Sequence, residues 1–249
     1  MLYITGDTHA DWMRRLNQES FPEQKEMTKD DYVIILGDFG IWDNTKREKY
    51  NLDWLDSKSF TTLFIDGNHE NYDILNNLPV EEWNGGKVNF IRPSVIHLLR
   101  GEIFDIEGKK FFAFGGASSH DISAGILEPD DPDFKRKKRE LDKNPYSLYR
   151  INHVSWWKEE LPSEEEMQNG TVNLEKNDWK VDYVITHSPP ASIIALLGNG
   201  QYEQDVLTRY LEDIKSKTKY KYWFAGHMHE NKAMNANDIL LYEQIIRVL

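Results

Sequence analysis

A chain of 249 residues, 39% hydrophobic and 12% aromatic, can enclose a sizeable core, which excludes an intrinsically disordered polymer. It contains no cysteine, so disulfides, thiolate metal sites and a cysteine nucleophile are excluded together. A formal net charge of −12 argues against broad, sequence-independent nucleic-acid binding, and no apolar run approaches the roughly 18 residues that a membrane helix needs.

Residues 1–5 form a β-type run that leads straight into Gly6, Asp7, Thr8 and His9. With no basic leader and no small-residue cleavage site, a signal peptide is not expected, and the chain is expected in the cytoplasm. Helical spacing follows at 12–18, a second β run at 32–36 ends in Gly37 and Asp38, a second helix is expected at 47–56, and a third β run at 61–65 leads to Gly67, Asn68 and His69. Strand and helix alternating in this way predicts a layered α/β domain. Residues 102–106 and 110–114 read as a hairpin across Glu107, Gly108 and Lys109.

The stretch 118–180 breaks the rhythm. It carries Glu128-Pro129-Asp130-Asp131-Pro132, a basic run at 135–139 expected to be a solvated helix face, and helical spacing at 147–160. Ser163 before Glu164, Glu165 and Glu166 is a helix N-terminus signal. This stretch is read as an insertion on the sheet that shapes a pocket, within a single domain spanning 1–249. Strands at 181–186 and 220–225 then lead to His187 and to Gly226-His227-Met228-His229, and residues 232–248 read as closing strands about a turn at Asn235-Ala236-Asn237-Asp238.

Of the eight histidines, His9, His69, His187, His227 and His229 lie within about four residues of a predicted strand end, where layered α/β folds bind ligands. Asp7, Asp38 and Asn68 hold the same kind of position. Residues two apart in extended backbone share a side, so Asp7 with His9, and His227 with His229, can each aim together. The neighbouring Gly6, Gly37, Gly67 and Gly226 permit tight turns and close backbone approach. Imidazole, carboxylate and amide oxygen without sulfur suit Mn, Fe, Co, Ni or Zn and match an all-oxygen Ca site poorly.

Taken in order, Gly6-Asp7-Thr8-His9, Gly37-Asp38, Gly67-Asn68-His69-Glu70, Thr186-His187 and Gly226-His227-Met228-His229 resemble the motif blocks of the calcineurin-like metallophosphoesterase superfamily. The resemblance implies a four-layer α/β/β/α sandwich with the site at the strand ends. It also implies two divalent cations, Mn²⁺ first, with Fe, Zn, Ni or Co as the other fits. Asp7, His9, Asp38 and His229 would bind one, and Asp38, Asn68, His187 and His227 the other, Asp38 being shared. A water bridging two such cations can attack a phosphate ester as hydroxide near neutral pH, and His69 resembles the family's general acid.

Three residues are candidate substrate contacts: Trp42 near Asp38, and Ser119 and His120 after Gly115-Gly116. Trp156-Trp157-Lys158-Glu159-Glu160 resembles a segment of some bacterial and phage members, although packing is the simpler reading of its tryptophans. His97, in an apolar stretch, reads as structural. Protein Ser/Thr phosphatases of the superfamily carry Gly-Asp-x-Val-Asp-Arg-Gly at the second block. Here Gly37-Asp38-Phe39-Gly40-Ile41-Trp42 lacks both the phosphate-clamping Arg and the Asp that orients the acid. The expected function is hydrolysis of phosphomonoesters or phosphodiesters, with a phosphoprotein phosphatase or a non-catalytic metal-binding scaffold as alternatives.

Overall fold

The apolar runs become strands because both of their faces are covered, and period-two alternation sorts their side chains between two cores. The computed structural model describes residues 1–198 and 204–249. One sheet contains β1 (Leu2–Thr5), β2 (Tyr32–Leu36), β3 (Thr61–Ile65), β4 (Glu81–Trp83), β5 (Gly86–Arg92), β6 (Val95–Leu98) and β15 (Ile245–Arg247), in the order β15-β1-β2-β3-β6-β5-β4. The other contains β7 (Glu102–Ile106), β8 (Lys109–Phe114), β11 (Tyr183–Thr186), β12 (Tyr222–Ala225), β13 (Lys232–Ala233) and β14 (Asp238–Leu240), in the order β13-β14-β12-β11-β8-β7.

Ile34, Leu36, Leu63 and Ile65 face Phe111, Ala113, Tyr183 and Ile185 in a core between the sheets. The alternate residues Val33, Ile35 and Phe64 pack outward with Trp12, Leu52 and Leu55 of α1 (Trp12–Arg15) and α2 (Lys46–Asp56). On the other side Phe112, Val184 and Trp223 pack with Leu174, Leu207 and Leu211 of α5 (Glu164–Lys176) and α7 (Val206–Lys217). The architecture is therefore the expected α/β/β/α sandwich. Short helices α3 (Tyr72–Leu75) and α6 (Ala191–Leu197) follow β3 and β11.

The expected hairpin is β7–β8, paired antiparallel. The helix expected at 12–18 is a single turn. Ser163 caps α5 as its sequence indicates: its hydroxyl accepts from the Glu166 N–H while the Glu166 carboxylate accepts from the Ser163 N–H.

The stretch 118–180 divides in two. Its C-terminal part, α5, is a layer of the sandwich, and the residues outside the layers run from about 117 to 162. They hold α4 (Phe134–Asp142) and a parallel pair, β9 (Ile126–Leu127) with β10 (Arg150–Ile151). The helix expected at 147–160 does not form. Arg150 and Ile151 are bound into strand pairing with Ile126 and Leu127, and His153 turns the chain in the left-handed region at φ +54°. Only a short 3₁₀ turn forms, at Lys158–Glu160. The basic run lies on α4 beside acids, with Lys137 near Asp131 and Lys138 near Asp142, as a solvated face should. The segment is pinned to the sandwich through Asp73 of α3, which accepts from the indole N–H of buried Trp157 at 2.8 Å and pairs with His153 at 2.9 Å.

Candidate metal centre

Parallel register sets the site. Thr5 lies opposite Ile35, Leu36 opposite Ile65, and Thr186 opposite Ala225, so five strands end on one edge of the sandwich. β1, β2 and β3 deliver Asp7 with His9, Asp38, and Asn68 with His69; β11 and β12 deliver His187, and His227 with His229. The two sheets are tied there directly. The His227 N–H donates to Asp7 Oδ1 at 3.0 Å, and His187 Nδ1 lies 2.7 Å from the Leu36 carbonyl oxygen.

The backbone is bent to make this convergence. His9, Asp38, His227 and His229 sit at φ of +46°, +44°, +63° and +50°, a region that costs a non-glycine residue about 1–3 kcal/mol. Two glycines are required by close approach. A Cβ at Gly37, itself at φ +86°, would lie 2.2 Å from the His187 ring, and one at Gly67 would lie 2.1 Å from Asp38 Oδ1. Behind the second loop, the buried Glu70 carboxylate accepts the N–H groups of Phe39, Gly40 and Ile41 at 2.6, 3.0 and 3.0 Å, which holds Asp38 at the edge.

The ligand-type atoms form two neighbouring sets. In one, atoms of Asp7, His9, Asp38 and His229 all lie within 4.8 Å of one another. His229 Nε2 is 3.1 Å from Asp7 Oδ2 and 3.1 Å from His9 Nε2, and His9 Nε2 is 3.7 Å from Asp38 Oδ2. In the other, His187 Nε2 is 3.3 Å from Asp38 Oδ1 and 3.4 Å from Asn68 Oδ1, and the His227 ring centroid is 5.0 Å from that of His187. The two oxygens of Asp38 thus face different sets.

These residues fit metal ions. Asp7 Oδ2 is a buried acceptor without a well-aligned hydrogen bond, although an imidazole nitrogen is 3.1 Å away, an arrangement that a cation between them resolves. A carbonyl only accepts, so His187 Nδ1 carries a proton and Nε2 presents its lone pair to the site.

Charge is arranged accordingly. Burial would raise the Asp38 carboxyl, but His187, His69 and His9 hold it well below the usual carboxylate range. Burial, reinforced by His187 and His120, holds the His227 ring well below its ordinary value. Burial also lowers His9; it lowers His69 too, which belongs to neither set and needs a proton to act as an acid. An ionised carboxylate and neutral imidazoles are the forms that coordinate. Burial opposes charge on His187, but Asp38 and Asp7 push it up to about 10, a positive charge that a bound cation replaces.

The remaining sequence candidates surround this edge. The His69 N–H donates to Asp38 Oδ1 at 2.8 Å, and its ring lies 5.2 Å from that of His9 and 5.9 Å from that of Trp42. Ser119 accepts from Asn68 Nδ2 at 3.4 Å, and the His120 ring lies 4.6 Å from that of His227. A cavity of about 360 Å³ opens beside them, lined in part by Ser119, His120, Asp205, Thr208 and His227. His97 is structural, placed between Asn89 and Asp66.

Sequence reasoning overlooked three features, made by four residues. Arg150 reaches His69 Nε2 at 3.4 Å, the buried Glu160 carboxylate holds Ser119, and Asp66 with Arg100 forms an ion pair two residues before Asn68. Glu160 sits in the Trp-Trp-x-x-Glu segment, which was a signal; the other two have none in local sequence.

Residues 2–231 match the family described as calcineurin-like phosphoesterase. The chain is also 23% identical over 256 residues to a lariat debranching enzyme of Danio rerio, an alignment that covers 91% of this chain and 39% of that protein. It thus spans about two fifths of that relative's length. Among solved structures, that of a phosphopantetheinyl hydrolase from Mycobacterium tuberculosis is similar at a TM-score of 0.45 and 14% identity, covering 97% of this chain and 87% of that one. None of the described helices is long and apolar enough to cross a membrane. With a match that runs from β1 to just beyond the last histidine of the edge, the chain belongs to the calcineurin-like phosphoesterases, a family of phosphoric ester hydrolases.

Proposed function

We propose that the chain is a dinuclear metal-dependent phosphoesterase that acts on phosphomonoesters or phosphodiesters. The observation that carries this is Asp38, whose Oδ2 faces His9 and whose Oδ1 faces His187, so that one carboxylate serves two ligand sets. Asp7, His9, Asp38 and His229 hold one cation, and Asp38, Asn68, His187 and His227 the other. Imidazole, carboxylate and amide oxygen donors suit Mn²⁺, taken first, as well as Fe, Zn, Ni or Co. When bound, the cations supply the Lewis acidity that activates water and offsets phosphoryl charge.

The side chains do the rest. His69, fixed to Asp38 through its backbone N–H, delivers a proton to the leaving oxygen. Trp42 borders that side of the edge, while Ser119 and His120 border the cavity beside His227 and contact the organic part of the substrate. The partner is a phosphate ester, with no membrane and no extended nucleic-acid surface, and the compartment is the cytoplasm.

The test is turnover of p-nitrophenyl phosphate, bis-p-nitrophenyl phosphate and a phosphopeptide with Mn²⁺, alongside metal content per chain. Hydrolysis of either nitrophenyl ester supports the proposal. Turnover confined to the phosphopeptide would instead make the protein a phosphoprotein phosphatase, and bound metal without any turnover would make it a scaffold.

A further inference from the structure

Arg150 lies on β10, in the segment outside the sandwich layers, and is only 8% exposed. Its guanidinium is tethered at two nitrogens: Nε donates to Asp121 Oδ1 at 2.7 Å and Nη1 to the Ser155 carbonyl at 2.8 Å. Pairing of Arg150 with Ile126 fixes the backbone beneath it. The third nitrogen, Nη2, is directed at the metal edge and stops 3.4 Å from His69 Nε2, across 81 residues of sequence.

That spacing is long for a direct hydrogen bond and right for two donors that share an oxyanion group. Oxygens about 2.8 Å from each nitrogen belong to a single phosphoryl tetrahedron, with the ester oxygen facing His69 and an unesterified oxygen facing Arg150. A planar guanidinium held at two corners presents its remaining N–H groups in a fixed direction, which suits an anionic oxygen better than a mobile ammonium does. A monoester carries one more charged, unesterified oxygen than a diester, and Arg150 is a donor placed to receive it.

We propose that Arg150 contacts the substrate, donating from Nη2 to an unesterified phosphoryl oxygen, and that it makes this site select phosphomonoesters. Asp121 is its positioning residue. The proposal rests on the phosphoesterase reading above, so its test includes binding of inorganic phosphate, which requires no turnover.

The experiment uses the full chain loaded with Mn²⁺ and compares wild type with Arg150→Met, Arg150→Lys and Asp121→Asn. In Arg150→Met, metal content per chain stays at the wild-type value and the phosphate dissociation constant rises roughly 10–100-fold. Loss of kcat/KM on p-nitrophenyl phosphate exceeds loss on bis-p-nitrophenyl phosphate by about tenfold or more. Arg150→Lys and Asp121→Asn shift both quantities in the same direction by less, and they carry the test if melting shows that Arg150→Met does not fold. Phosphate affinity within about twofold of wild type in a folded, metal-loaded variant overturns the proposal, as do equal losses on the two esters. If wild type hydrolyses neither ester while Arg150→Met still weakens phosphate binding, the phosphate contact stands and the phosphoesterase reading falls.

Discussion

Two clusters of buried aspartate with histidine lie close together in this molecule, and they have been completed in opposite ways. Around Asp66, Arg100 donates from Nε and Nη2 at 2.8 and 2.5 Å, the Tyr72 hydroxyl donates at 2.8 Å, and His97 Nε2 lies 3.2 Å away with its other nitrogen 3.1 Å from Asn89 Oδ1. Asp7 and Asp38, with His9, His187 and His229, have similar chemistry, but the Asp7 acceptor has no aligned donor and the imidazole nitrogens crowd one another. A guanidinium closes the first cluster and leaves the second open. Buried acids beside histidines therefore indicate a metal only where no cationic side chain has neutralised them, and that distinction is tertiary rather than compositional.

The two clusters should fail differently. Asp38→Asn, on the open one, is expected to have the largest effect: metal per chain drops together with turnover, by on the order of 10⁴-fold or more. Metal analysis of the purified variant with full metal occupancy would remove Asp38 from its shared position. Arg100→Met, on the closed one, strands a buried carboxylate and should cost roughly 3–5 kcal/mol in denaturant unfolding, while the folded fraction still binds metal. Loss of metal from that folded fraction would show that the two clusters are not separable.

The closed cluster also predicts a pH dependence. Burial would raise Asp66, but Arg100 and His97 hold it well below the carboxylate range. Its stabilisation is therefore complete above an unfolded pKa of about 4 and disappears as pH falls toward the lower folded value. Acid unfolding curves of wild type and Arg100→Met should converge below that point. His69→Asn comes next: both metals are retained, and turnover of esters with poor leaving groups slows by roughly 10²–10⁴-fold. An unchanged rate on such an ester would exclude His69 as the acid.

What the sequence revealed follows from the same contrast. Each residue of the metal edge stands within three positions of a glycine or directly after a strand run, so a local pattern marks it, and the structure brings Asp7, His9, Asp38, Asn68, His187, His227 and His229 to one edge. The four layers were legible because the strands are short apolar runs in alternation with helices. Arg150 was not legible, since its significance depends on reaching a ring 81 residues away. Arg100 meets Asp66 across 34 residues, and neither is unusual in its own surroundings. Residues 147–160 misled because Leu148, Ile151, Val154 and Trp157 recur every three positions, close to a helical period, whereas a two-residue strand and a left-handed turn at His153 satisfy that backbone instead.

The smallest expected effect lies where the outer segment touches the open cluster. Glu160, 2% exposed, accepts the Ser119 N–H at 2.8 Å and the Ser119 hydroxyl at 2.7 Å. With its hydrogen committed to Glu160, the Ser119 oxygen can only accept from Asn68, so the amide nitrogen of Asn68 turns toward Ser119 and its oxygen toward the cluster. Glu160→Gln reverses that chain. The new amide donates to the serine oxygen, the hydroxyl hydrogen turns toward Asn68, and the Asn68 oxygen is drawn away from the metal. Affinity for the cation held by Asn68, His187 and His227 should fall by roughly 10–100-fold, with the Asp7 and His229 site unchanged in the same titration. A loss of packing alone would lower the melting temperature without distinguishing the two cations, so equal weakening of both would show that Glu160 supports the fold rather than the orientation of one amide.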